Sequence, residues 1–245
     1  MIDLHAHILP GIDDGPKTLE DSLEMARVAV ADGITTTVAT PHLFRHKSVN
    51  PKDLNSPEVI LQAVADFNRE LKEAEIELTV LPGCEIPLFS DIIKFIDTNR
   101  LVTINDGKRY ICLEFPDSII PPATEEIIFE LSSRGITPII THPERNPVLY
   151  EMPQKLRRFI SLGCLAQFTA GSLTRGFGWR VFRFTKRLIR DGLVHLMATD
   201  AHNLNSRPPL MGKALKKLSK LVGESRAWDM VATIPEHIIQ GRSLF

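Results

Sequence analysis

The sequence predicts an α/β fold in which parallel strands wrap into a barrel, closed or nearly so, over a chain of 245 residues. Three observations predict it. Short runs rich in Ile, Val, Leu and Thr recur seven times along the chain, and their near-continuous apolarity suits strands covered on both faces. Between most of them lie stretches of helical period, and alternating β and α elements with short connections build a parallel sheet. Hydrophobic residues make up 43% of the chain, with no low-complexity linker and no shift in composition. That supplies one large core and predicts a single domain over residues 1–245, since α/β barrels reach about 250 residues as one unit. A doubly wound open sheet is the alternative arrangement.

Taken in order, the strand candidates are Ile2–His7, Thr35–Thr40, Leu78–Gly83, Tyr110–Phe115, Thr137–Thr141, Leu165–Thr169 and His195–Thr199. Thr18 with Asp21 makes a capping-box-like start for the first helix, whose face carries Leu19, Leu23, Ala26 and Val30. Ser56-Pro57 opens the second, with proline suited to the first helical position. Gly135, Gly163 and Gly192 each fall between a helical stretch and a strand, where a left-handed residue ends a helix. The segment from Arg175 to Arg190 interleaves basic residues with Phe177, Trp179, Phe182 and Phe184. An amphipathic barrel helix with a solvated basic face is the simpler reading, and a docking surface for an acidic tail or an anionic membrane the other.

Charge and cysteine content exclude several classes. Twenty-nine basic residues balance 30 acidic ones for a net charge of −1, which is no footprint for nucleic acid. No basic-then-apolar leader is visible at the N-terminus, and the longest uncharged run, Phe159 to Thr174, falls short of the ~20 apolar residues of a membrane span. Cys84, Cys112 and Cys164 form no CxxC pair, so a reducing cytoplasm is expected. A thiolate phosphatase needs Cys-x5-Arg, but the residues six positions on are Ser90, Ser118 and Ala170. The cysteines therefore read as core residues.

The polar residues gather where a parallel barrel puts chemistry, at the C-terminal ends of strands. His5 and His7 end the first run, and Asp13 and Asp14 follow in a Gly-containing turn. His42, Glu85, Glu114, His142 and Asp200 with His202 end later ones. Any one of these alone reads as an ordinary polar residue. Five imidazoles and four carboxylates at equivalent positions read as a cluster of two or three divalent ions, more than one tetrahedral zinc requires. Mixed nitrogen and oxygen donors suit manganese, iron or zinc. Bridged ions of this kind serve hydrolysis, of phosphate esters first and of amides second. Arg145 and Arg207 lie beside these residues, and a guanidinium matches phosphate oxygens with two parallel hydrogen bonds. His46, His195 and His237 lack such company and read as structural or surface residues.

The pattern resembles the polymerase and histidinol phosphatase (PHP) family, and within it the CpsB/CapC-type bacterial tyrosine-protein phosphatases. The matching stretches are Met-Ile-Asp-Leu-His5-Ala-His7, Asp13-Asp14-Gly15-Pro16, Thr40-Pro41-His42, Gly83-Cys84-Glu85, Leu113-Glu114-Phe115, His142-Pro143-Glu144-Arg145, Asp200-Ala201-His202-Asn203 and Arg207-Pro208-Pro209. They run in order through nearly the whole chain, and the loop from Leu43 to Lys47 is the weakest match.

The resemblance implies a distorted (β/α)7 TIM-like barrel of the PHP type holding three metals, commonly manganese. It implies as ligands His5, His7, Asp14, His42, Glu85, Glu114, His142, Asp200 and His202. The implied substrate is a phosphotyrosine cluster in the tail of a bacterial tyrosine kinase controlling capsule or exopolysaccharide assembly. The expected mechanism is attack on phosphorus by a metal-bridging hydroxide, with no phosphoenzyme and with Arg145 and Arg207 on the phosphate oxygens. Asp14 or a metal-bound water supplies any proton the leaving phenol needs. The rivals are another PHP phosphoesterase acting on histidinol phosphate or nucleic acid ends, and a metal-stabilised kinase-binding protein without turnover. A further rival is an amidohydrolase, whose usual bridging lysine is replaced here by Glu114.

Overall fold

The computed structural model describes residues 1–44 and 54–244. The rest of the Leu43–Lys47 loop after Phe44, His46 included, lies outside the described residues. The fold is mixed α/β, and among the described residues all strand pairs are parallel. The first sheet orders β1 (Ile2–Ala6), β2 (Thr36–Ala39) and β3 (Thr79–Pro82) side by side. The second orders β4 (Glu85–Pro87), β5 (Tyr110–Glu114), β6 (Thr137–Thr141), β7 (Leu165–Thr169) and β8 (Leu196–Ala198). Parallel bridges join the two sheets at both ends, His42 to Glu85 and Ala6 to Ala201. At the second junction Asp200 N donates to His5 O and His7 N to Ala201 O, each at 2.8 Å.

Among the described residues eight strand segments stand where the sequence predicts seven runs. The third run breaks after Pro82, and the chain changes partner, from β2 to β5, across Gly83 and Cys84. Gly83 is required there because a Cβ would sit 2.6 Å from Val38 Cγ1. The short β4, ending in a proline, carries no periodicity of its own to read.

Helices occupy the connections. The first four are α1 (Leu19–Ala31), α2 (Pro57–Glu73), α3 (Ile92–Asp97) and α4 (Thr124–Ser133). The next four are α5 (Pro147–Glu151), α6 (Pro153–Ser161), α7 (Ala170–Leu173) and α8 (Gly178–Arg190). The chain ends in α9 (Gly212–Val222), α10 (Glu224–Trp228) and α11 (Ile234–Ile239). The expected caps are present: Thr18 Oγ1 accepts from Asp21 N at 3.2 Å, and Ser56 Oγ from Val59 N with Pro57 opening α2. Gly135, Gly163 and Gly192 take φ of +73°, +97° and +66°. In α1 the buried stripe is Ser22, Met25, Ala26 and Ala29, while Leu19, Leu23 and Val30 lie at its half-buried margin. The expected face is thus rotated by part of a turn. None of the helices among the described residues is long and apolar enough to cross a membrane.

The strands explain why polar groups converge. Leu4, Val38, Cys112, Ile139, Leu165 and Leu196, from six strands, pack together with Ile104 and Ile238 as one apolar layer. Side chains alternate along a strand, so two residues on from Cys112, Ile139 and Leu165 come Glu114, Thr141 and Gln167 on the same side. That face therefore changes from apolar to polar toward the C-terminal ends of β5, β6 and β7. A shift of register in β1 between Asp3 and Ala6 re-aims its last residues.

Candidate metal centre

All nine predicted ligands meet at this polar end, around the buried carboxylate of Glu85. Its Oε1 lies 2.9 Å from His142 Nε2 and 3.3 Å from His5 Nε2. Its Oε2 lies 3.2 Å from His42 Nδ1 and 3.4 Å from His7 Nε2. Glu114 faces His42 and His142, each at 3.8 Å. Asp14, half-exposed, puts Oδ1 3.4 Å from both His42 Nε2 and His202 Nε2. Asp200 Oδ1 faces His5 at 3.5 Å and His7 at 3.7 Å. Eight of the nine fall into three groups that could each hold an ion: His7, Asp14, His42 and His202; His5, His7 and Asp200; His42, Glu85 and Glu114. His142, against Glu85 and Glu114, is in none of the three.

Residues the sequence reading did not assign hold the imidazoles in place. Gln167 Oε1 accepts from His5 Nδ1 at 2.9 Å, and Asp13 Oδ2 from His7 Nδ1 at 2.6 Å. Asp13 also accepts from His42 N at 3.0 Å and Gly15 N at 2.9 Å. With Nδ1 so engaged, His5 and His7 turn their Nε2 atoms toward each other at 3.4 Å. Two ring nitrogens aimed at one space, with carboxylate oxygens around them, are the atoms that give up their protons when a cation binds between them. Asp200 Oδ1 and His202 Nε2 are likewise buried without a hydrogen bond. The donor set fits divalent metal.

The electrostatics follow from the same crowding. Burial disfavours the Glu85 carboxylate, but the imidazoles, His5 first, outweigh it and hold the group well below the usual range. Burial likewise opposes charge on Asp200, and the Arg145 guanidinium leads the groups that overcome it. The Asp13 carboxylate overrides burial of His7 and lifts it to about 10, while Asp13 falls to about 2. His142 is pushed down to about 4 by burial and by Arg145. His142 and Asp200 both hold left-handed backbone, at φ of 35° and 52°, a strain that non-glycine residues keep only where their surroundings fix them.

Arg145 and Arg207 border the cluster. Their Nη2 atoms lie 2.6 and 2.5 Å from one oxygen, Asp200 Oδ2. Both line a cavity of about 210 Å³ that opens onto His42, Glu85, Glu114 and His142 and is flanked by Phe115 and Phe177. Phe177 also packs its ring 5.0 Å from the Arg145 guanidinium. The three cysteines are buried and unpaired, and burial pushes their thiols upward, Cys164 to about 12. None is poised as a thiolate. His195 lies apart, its Nδ1 accepting from Ala166 N at 3.0 Å.

The family model for capsular polysaccharide synthesis proteins of the CpsB/CapC type matches residues 1–240. The chain belongs to the CpsB/CapC family. Tyrosine-protein phosphatase YwqE of Bacillus subtilis is 37% identical over 245 residues, all of this chain and 94% of that protein. Tyrosine-protein phosphatase CpsB of Streptococcus pneumoniae is 31% identical over 245 residues, 98% of each chain. The crystal structures of YwqE and CpsB, described as unique metal-dependent tyrosine phosphatases, include a chain that superposes on this one with a TM-score of 0.94. That match, at 37% identity, covers 100% of this CpsB/CapC chain and 96% of the other.

Proposed function

We propose that this CpsB/CapC protein is a metal-dependent protein-tyrosine phosphatase. Its substrate is the phosphotyrosine-bearing tail of a bacterial tyrosine kinase of capsule or exopolysaccharide assembly, and it works in the cytoplasm. The observation that carries the reading is the convergence of four histidines and four carboxylates in three ion-sized groups, with His142 against Glu85, beside two arginines that share one cavity. We infer further that residues 1–245 act as one domain and that the sheets close into a distorted (β/α)7 barrel; the parallel bridges between the two sheets support this reading.

His5, His7, Asp14, His42, Glu85, Glu114, His142, Asp200 and His202 hold two or three ions, with manganese the first candidate and iron or zinc the others. When bound, such ions acidify water and polarise phosphoryl oxygens. Arg145 and Arg207 bind the non-bridging phosphate oxygens, drawn from Asp200 Oδ2, and hold the phosphorus in line for attack. Phe115 and Phe177 flank the cavity with apolar rings against which a phenol packs. The leaving phenol has a pKa of ~10 and needs little assistance from an acid. Asp14 is held in its charged form, burial being outweighed by the nearby imidazoles of His202, His42 and His7, and this favours a ligand's role over a proton donor's.

The test is hydrolysis by metal-stripped protein reloaded with Mn²⁺, comparing a phosphotyrosine peptide with a phosphoserine peptide and histidinol phosphate. Phosphotyrosine is preferred and His5→Ala is inactive on this reading. Equal turnover of the three substrates overturns it.

A further inference from the structure

Beside the catalytic cavity lies a second depression of about 340 Å³ that shares Phe177 and Arg207 with it. Its walls carry Arg175 and Lys213, and no acid is found among the residues lining it. Lys217, one turn beyond Lys213 on α9, donates to Leu173 O at 3.3 Å. Burial, then the charges of Arg175 and Lys213, lower its ammonium pKa. None of the three makes an ion pair among the described residues.

The placement of Arg175 is built. Its backbone is left-handed, at φ of 75°, which a non-glycine residue keeps only under constraint. Its guanidinium lies 3.9 Å over the Trp179 ring and 5.2 Å from that of Phe182. At the base of the depression, Thr169 is buried and its hydroxyl has no hydrogen-bond partner. The Nε of Arg207 is also buried without one. Elsewhere on the basic segment the arrangement is ordinary: Arg187 pairs with Asp191 at 3.6 Å, while α8 buries Phe184, Thr185, Leu188 and Ile189. Arg175 and Lys213, by contrast, line the depression.

Clustered like charges in a concave, acid-free groove are relieved by an anion. We propose that this groove is a recognition subsite for an acidic side chain of the phosphotyrosine-bearing peptide. A volume of 340 Å³ is about 7 Å across, and an extended chain advances ~3.3–3.6 Å per residue, so the carboxylate lies about one to three residues from the phosphotyrosine. The proposal rests on the tyrosine-phosphatase reading and adds sequence selectivity to it.

The experiment measures kcat/KM on phosphotyrosine peptides carrying Glu or Gln at each of three positions on either side, with p-nitrophenyl phosphate as the small substrate. Wild type is expected to favour Glu in at least one position by about five- to tenfold, mainly through KM. The Arg175→Gln/Lys213→Gln variant is expected to lose that preference and to turn over p-nitrophenyl phosphate within about twofold of wild type. Equal use of Glu and Gln peptides by wild type overturns the subsite, and this comparison needs no variant to fold. A variant that slows both peptides equally overturns it too. So does a result in which the variant loses only binding to phosphatidylglycerol vesicles, which assigns the cations to a membrane. Hydrolysis of histidinol phosphate with no phosphotyrosine turnover overturns the parent reading, and this proposal with it.

Discussion

Asp13→Asn tests the metal reading where it is most exposed to refutation, because the substitution keeps shape and removes no proposed ligand. Three N–H groups point at the two Asp13 oxygens: Gly15 N at Oδ1, and His7 Nδ1 and His42 N at Oδ2. A carboxamide has only one oxygen. In its less damaging orientation it keeps His7 and His42 and turns its amide against the Gly15 N–H, leaving a buried donor unsatisfied, which costs about 1–3 kcal/mol. The negative charge that fixes the His7 tautomer also goes. The buried donor weakens the fold with and without metal; loss of the acidic partner behind a metal-bound imidazole separately lowers metal affinity by about 10–100-fold, or about 1.4–2.7 kcal/mol. The assay is calorimetric titration of metal-stripped protein with Mn²⁺, with thermal melting of the metal-free forms as the control for folding. A folded variant that binds Mn²⁺ within about twofold of wild type refutes the argument that Asp13 orients a metal ligand.

Other perturbations follow from the same geometry. Arg145→Lys and Arg207→Lys each keep the charge but not the planar fork, so each is expected to lower kcat/KM for phosphotyrosine peptide by about 10–100-fold while Mn²⁺ binding changes far less. Gly83→Ala puts a Cβ 2.6 Å from Val38 Cγ1 at the break between β3 and β4, and a loss of about 1–3 kcal/mol in chemical denaturation is expected. His195 is lowered to about 4 by burial and Arg226, so it stays neutral in the fold and takes up a proton on unfolding below its ordinary value. Its contribution is present above pH 6.5 and is lost as pH falls toward 4. The stability gap between wild type and His195→Asn is therefore expected to narrow by about 2 kcal/mol at most from pH 7 to pH 5 in urea titrations.

The site was legible because of what its residues are, and less legible in how they are held. Histidines and carboxylates at the ends of apolar runs stand out, since nothing in a packed sheet demands them there, and His5, His42, Glu114 and Asp200 were found in this way. Gln167 was missed because it lies inside the apolar run Leu165–Thr169, flanked by Ala166 and Phe168. Its signal was parity: it falls two residues after Leu165, on the side that turns polar at the strand end. Asp13 was noticed beside Asp14, but adjacent acids in a turn cannot be told apart without knowing which one faces inward. The strand β4 was unreadable, since three residues between Cys84 and Leu88 show no period. The amphipathic reading of Arg175–Arg190 agrees with α8, which buries Phe184, Thr185, Leu188 and Ile189. A helical period does not say which cation lines the cavity, and Arg175, which does, precedes α8 with left-handed backbone.

Asp200 shows how the two halves of the site depend on each other. One of its oxygens faces His5 and His7, and the other is held by both arginines. On the metal reading, a cation at the first oxygen draws negative charge toward itself and weakens the hold of the second on the guanidinium groups. Those groups are then freer to take phosphate oxygens. An anion drawing Arg145 and Arg207 away leaves Asp200 with more charge to give the metal, so each ligand favours the other, and the coupling must be equal in both directions. A balanced net charge thus conceals a centre in which a single carboxylate lies between the imidazoles and the two arginines, and on the proposed reading it links cation binding to anion binding.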